Sequence, residues 1–177
     1  MSRLSRVGGA LVLTAAATTL TLPTPAHAAS EPPRSAVVTC TGEIFETFSP
    51  GLTMHSRPVE VTAHSELSCT GGKVKSVTMS SKYTLEAGCL ANQLISVGSP
   101  ELDWDNGENS TATLTYAVGR PAGQTVSVGV GSVLKGQFRD YAMTRSLGSF
   151  TPDAHKCFGD GVTSSRGFDH ITLSPQA

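Results

Sequence analysis

From Pro58 to Cys69 the chain alternates between apolar and polar side chains. Val59, Val61, Ala63, Leu67 and Cys69 share one phase; Glu60, Thr62, His64, Glu66 and Ser68 share the other. A two-residue period puts successive side chains on opposite faces of a strand, so such a segment has one dry face and one wet face. The period recurs almost throughout the chain. Val77, Met79, Tyr83, Leu85 and Ala87 alternate with Ser76, Thr78, Ser80, Lys82 and Glu86. The whole run from Lys75 to Cys89 is long for one strand, which predicts a bend or bulge near Ser80-Ser81. Val38, Cys40, Ile44 and Phe48 form an earlier apolar face, with Phe45 out of phase. Leu94–Val97 is a weaker strand candidate. Leu102 and Trp104, then Ala112, Leu114, Tyr116 and Val118, then Val126, Val128 and Val130, and finally Ile171 and Leu173, read as further inward faces. No window keeps a 3.6-residue period with caps, and Arg139–Gly161 reads as a long connection. Seven to nine short strands separated by Gly, Pro and Asn predict an all-β, immunoglobulin-like antiparallel β-sandwich, with a β-barrel as the alternative.

The first 28 residues stand apart from this pattern. Arg3 and Arg6 precede an uncharged apolar run from Val7 to Leu22. Pro23 and Pro25 end that run, and Ala26-His27-Ala28 has the small-x-small form of a cleavage site. This is the layout of a Sec signal peptide cut between Ala28 and Ala29. It predicts secretion, to the extracellular space or the cell wall, and no membrane span after processing. Residues 29–35 read as a flexible lead-in and 36–177 as a single domain. Loss of Arg3 and Arg6 from the 13 basic residues leaves 11 against 14 acidic ones, a formal charge of −3. Such a chain has no basic excess with which to neutralise phosphates, which argues against nucleic acid as a partner.

All four cysteines, Cys40, Cys69, Cys89 and Cys157, lie in the exported part. An even count in an oxidising compartment predicts two disulfides. The midpoint of Cys40 and Cys69 lies near the centre of the Phe48–Val59 connection, so an antiparallel hairpin sets them opposite one another. Cys89–Cys157 follows by exclusion. A second register follows from Asp105-Asn106-Gly107. As a three-residue loop it makes paired positions sum to 212 and keeps Leu102 and Trp104 on the apolar phase of the partner strand. That predicts a left-handed Gly107.

Residues with chemical potential are scattered. His64 shares a polar strand face with Glu60 and Glu66, a weak metal-site pattern against the plainer reading of a solvated face. His155 neighbours an oxidised Cys157, and Asp169-His170 lacks an elbow motif that would select a serine. Asp103, Asp105, Asn106 and Glu108 offer oxygens at a hairpin tip without EF-hand spacing. Ala154–Gly159 is the nearest thing to an inhibitor's reactive loop. Trp104 reads as a core anchor before it reads as a ligand-stacking ring. No catalytic, cofactor-binding or metal-binding residue is assigned on this basis, and no cofactor is expected.

Cys40-Thr41-Gly42, Thr47-Phe48-Ser49-Pro50-Gly51-Leu52-Thr53, Trp104-Asp105-Asn106-Gly107-Glu108-Asn109-Ser110-Thr111, and Cys157 with Gly161-Val162-Thr163-Ser164 and Gly167 occur in that order. Together they resemble a group of small secreted β-rich proteins of actinobacteria, over roughly Val38 to Leu173. These motifs are turns, cysteines and a core Trp. The resemblance therefore implies a fold and carries over no functional residue. The expectation is a secreted, non-enzymatic binding or interaction module, its partner a protein or a cell-wall glycan. A secreted, metal-dependent hydrolase and a protease inhibitor are the alternatives.

Overall fold

The computed structural model describes residues 36–90, 95–119, 125–149 and 154–176. The signal segment 1–28, the Ala28/Ala29 cleavage point and the lead-in 29–35 lie outside the described residues, as does Leu94. Nine strands and one helical turn follow in order: β1 (Val38–Leu52), β2 (Arg57–Thr70), β3 (Ser76–Ala87), β4 (Ile95–Gly98), β5 (Glu101–Trp104), β6 (Asn109–Gly119), β7 (Thr125–Gly136), β8 (Tyr141–Ser149), α1 (Ala154–Phe158) and β9 (Val162–Pro175). Every pairing is antiparallel; β1–β2, β2–β3, β5–β6, β6–β7, β7–β8 and β8–β9 join neighbours in sequence, whereas β3 pairs with β5 and β4 with β6. β9 returns to β1, which closes the ring. β4 and β5 both lie along β6, against its C-terminal and N-terminal halves respectively, so they act as one interrupted stave.

The molecule is therefore an eight-staved up-and-down barrel with an extra short strand, and the expected sandwich is replaced by the barrel alternative. The physical reason is the meander itself. Long, twisted staves, β1 with 15 residues and β2 and β9 with 14 each, coil until the first meets the last, and closure removes both sheet edges. All inward phases then converge on one lumen. The outer phase of β1–β3 carries Glu43, Glu60, Glu66, Lys82 and Glu86, a wall built for water and not for lipid. Among the described residues no helix is long and apolar enough to cross a membrane.

Three sequence expectations need correction. The Val126, Val128 and Val130 phase faces outward, with Val128 and Val130 about half exposed. The inner phase of β7 runs from Ser127 and Gly129 to the buried Val133, and a Cβ on Gly129 would sit 2.6 Å from the Tyr116 ring. The interior is small there because Tyr116 occupies it. The supposed connection Arg139–Gly161 contains β8 and α1. Its alternation was masked by Arg145 in the inward phase. No bulge interrupts β3, whose register with β2 runs unbroken from Ser76 to Ala87. What changes at Ser80 is the other side: pairing with β5 ends at Ser80↔Glu101.

Both cysteine pairings are as expected. Cys40 lies directly opposite Cys69, with 4.0 Å between Cα atoms. Cys89–Cys157 spans 6.1 Å and ties the end of β3 to α1. The hairpin register also holds, with Leu102 opposite Ser110, Asp103 opposite Asn109 and Gly107 at φ +83°.

One end of the barrel is solid. Val38, Cys40, Leu67, Val77, Met79, Leu102, Leu114, Met143, Ile171 and Leu173 fill it. Trp104 closes it, edge-on to Phe138 at 4.9 Å, with Phe138 in turn edge-on to Tyr141. A second, smaller cluster (Leu52, Val59, Val61, Ala87, Cys89, Cys157 and Val162) lines the opposite end.

Candidate functional site

Between the packed end and that smaller cluster the lumen is not filled. A cavity of about 170 Å³ is lined by Ile44, Phe48, Leu52, Val61, Ala63, Tyr83, Leu85, Val118 and Leu147, with Glu46 and Arg145 as the only charged lining residues among the described ones. It opens where β3 and β4 part. Beyond Ser80, β3 shares no pairing with β4, which bonds only to β6 among the described residues. Ser81, Tyr83, Leu85 and Ala87 on one side face Ser96, Val97, Gly98 and Pro100 on the other. Pro100 stands at the break between β4 and β5, and its carbonyl accepts the Ala112 amide at 3.1 Å. A residue without an N–H suits the point where a stave is interrupted.

The floor is polar. Arg145, 3% exposed, and Asp169, 1% exposed, stand on the inner faces of β8 and β9. Arg145 donates from Nε to both carboxylate oxygens at 3.1 Å and from Nη2 to Oδ2 at 2.6 Å. Its Nη1 donates to the Tyr116 hydroxyl and its Nη2 to Ser65 Oγ, both at 3.2 Å. Burial by itself would lower the guanidinium pKa. The hydrogen bonds and charge of Asp169, followed by Tyr116, outweigh it and hold the value above the usual range. Arg145 is thus a fixed cation whose charge is already matched.

Glu46 projects inward from β1, and Ser165 donates to its Oε2 at 2.8 Å. Burial raises the Glu46 pKa; the Ser165 bond and the Arg145 charge oppose that rise without cancelling it. Burial likewise raises Tyr83 and Tyr116, so both phenols stay protonated. The site therefore offers an apolar sleeve, two phenol hydroxyls and one carboxyl in a desolvated setting.

The residues singled out from the sequence lie elsewhere. His64, Glu60 and Glu66 are on the outer wall. Glu60 pairs with Lys82 at 3.0 Å, while His64 and Glu66 lie 3.6 Å apart and well exposed. Asp169 points inward and the next residue, His170, takes the outward phase, so the two cannot act on one group. His155 is on the helical turn α1, and Ala154–Phe158 is wound where an inhibitor's reactive loop is extended. Asp105 accepts the Lys75 amide at 3.2–3.3 Å, and Asn106 accepts from the Glu108 amide and donates to Gln137. The oxygen-rich tip thereby staples the closed end together. Trp104 is buried and donates to Ser110 Oγ at 2.9 Å. Among the described residues no group of three or more His, Cys, Asp or Glu side chains could hold a metal ion.

Glu46, Tyr83, Tyr116 and Arg145 were not singled out as a site. The available signal was a Glu and an Arg on otherwise inward phases, since a charged side chain there needs a partner or a purpose. No protein-family model, curated protein or solved structure matches the chain.

Proposed function

We propose that this is a secreted binding protein that takes a small, mainly apolar molecule into its barrel lumen. The supporting observation is the unfilled half of a closed eight-staved barrel. Interiors pack to crystal-like density, and barrels of this size either fill with side chains or hold one small ligand. Here, among the described residues, side chains pack the Trp104 end and a smaller cluster at the other end, and the space between them is left open. The cavity compares with the ~150 Å³ apolar space that accommodates benzene, which sets the ligand's buried part at about one ring with a short substituent. Secretion rests on the signal-like segment before Ala29 and on two disulfides that suit an oxidising compartment. The actinobacterial resemblance agrees with export.

Titration of the ¹⁵N-labelled mature protein with toluene tests the reading. Amide shifts should centre on Ala63, Tyr83, Tyr116 and Leu147, and they should vanish in Ala63→Leu, whose larger side chain occupies the lumen. Shifts confined to the outer wall, or unaltered by Ala63→Leu, would overturn it.

A further inference from the structure

The lumen also specifies a charge. Of the two charged lining residues among those described, Arg145 is held on three hydrogen bonds by Asp169. The guanidinium and that carboxylate cancel each other at the floor. Glu46 has no such counterpart. Among the described residues it forms no ion pair, and Ser165 bonds only its Oε2. The formal sum of the described residues facing the cavity is therefore one negative charge, in a sleeve of Phe48, Leu85, Leu147 and two tyrosines.

Three kinds of guest meet this differently. An anion would add a second negative charge in a low-dielectric space, a costly arrangement. A neutral guest leaves Glu46 to solve its own desolvation by holding a proton. A cation completes the pair. Phe48, Tyr83 and Tyr116 line the same space, and an aromatic ring attracts an ammonium over its face. The Tyr116 oxygen accepts from Arg145, and a phenol that accepts still carries one proton to donate.

We propose that the cavity is a receptor for a small amphipathic amine, its ring in the apolar sleeve and its ammonium paired with Glu46. This rests on the lumen-binding reading above and narrows it to one chemical class.

Isothermal titration with three near-isosteric probes tests it: 2-phenylethylamine, 2-phenylethanol and phenylacetate, each against wild type, Glu46→Gln and Ala63→Leu. The amine should bind wild type at least tenfold more tightly than the alcohol, and phenylacetate more weakly than either. Glu46→Gln retains an acceptor for Ser165 and keeps the shape, so it should bring the amine level with the alcohol while leaving the alcohol's affinity within about twofold. Ala63→Leu should weaken both. If the alcohol binds and is lost in Ala63→Leu, but the amine has no advantage or keeps it in Glu46→Gln, the amine assignment fails and the lumen reading stands. If no probe distinguishes wild type from Ala63→Leu, both fail.

Discussion

Arg145 Nη2 lies 2.6 Å from Asp169 Oδ2, on adjacent staves whose pairing places Leu147, not Arg145, directly opposite Asp169. The pair thus runs diagonally across the inner faces of β8 and β9 and forms the boundary between packed core and open lumen. Removing one partner leaves a buried charge uncompensated, at about 3–5 kcal/mol. Asp169→Asn should therefore lower Tm by about 10 °C or more. Replacing both residues, as Arg145→Met with Asp169→Leu, should cost less than Asp169→Asn alone. Thermal unfolding followed by circular dichroism, run as a double-mutant cycle, measures the difference.

Glu46 makes stability depend on pH. Burial raises its folded-state pKa above the ordinary 4.5. The folded protein then holds this proton more tightly than the unfolded chain, so the contribution is complete below about pH 4.5 and is lost as pH rises through the raised value. Arg145, Asp169 and Ser165 are the groups facing it, and their interactions are included in that net direction. Glu46→Gln should match wild type in acid and exceed it at neutral pH. Urea unfolding of both proteins from pH 4 to 8 provides the comparison, and parallel curves would contradict it.

The two disulfides should differ in worth. Cys89–Cys157 closes a loop with a sequence separation of 68 and Cys40–Cys69 one of 29. In the chain-entropy model these correspond to about 4.4 and about 3.6 kcal/mol. Cys89→Ala with Cys157→Ala should be the more damaging double replacement. It should also loosen ligand binding, because this bridge braces the cavity end, whereas Cys40–Cys69 sits in the packed end. Tm and toluene affinity of the two double variants settle the ranking.

Two glycines should respond differently to alanine. At Gly107 nothing lies within 4 Å of an added Cβ, but φ is +83°, so Gly107→Ala should cost about 1 kcal/mol through the backbone alone. At Gly129 the added carbon would meet the Tyr116 ring at 2.6 Å. Gly129→Ala must move that ring and its bond to Arg145, costing about 1–3 kcal/mol. Only Gly129→Ala should perturb the lumen signals of a toluene titration.

How much of this was legible beforehand depends on range. Cys40–Cys69 and the Asp105–Gly107 hairpin join residues close in sequence through one turn, and turn geometry sets register. The two-residue period likewise marks each stave without reference to any other. Alternation divides a strand into two faces but does not state which one is inside. For β7 the valine-rich face lost to one made of Ser and Gly, because Tyr116 on β6 already fills the space opposite Gly129.

The site was hidden for the same reason. Glu46, Tyr116, Arg145 and Asp169 come from four staves and span 124 positions between first and last. A charged Arg145 breaks the apolar phase of β8 in the sequence, and its partner Asp169 is what lets it face inward. The sequence alone determined an alternating, disulfide-linked all-β chain with a signal-like start, because those properties are local or hang on a single hairpin. Closure into a barrel, the side of each stave that faces inward, and an open lumen beside a Glu46 without an ion pair among the described residues were decided only in three dimensions. Each depends on which staves meet and on how much volume their side chains leave empty.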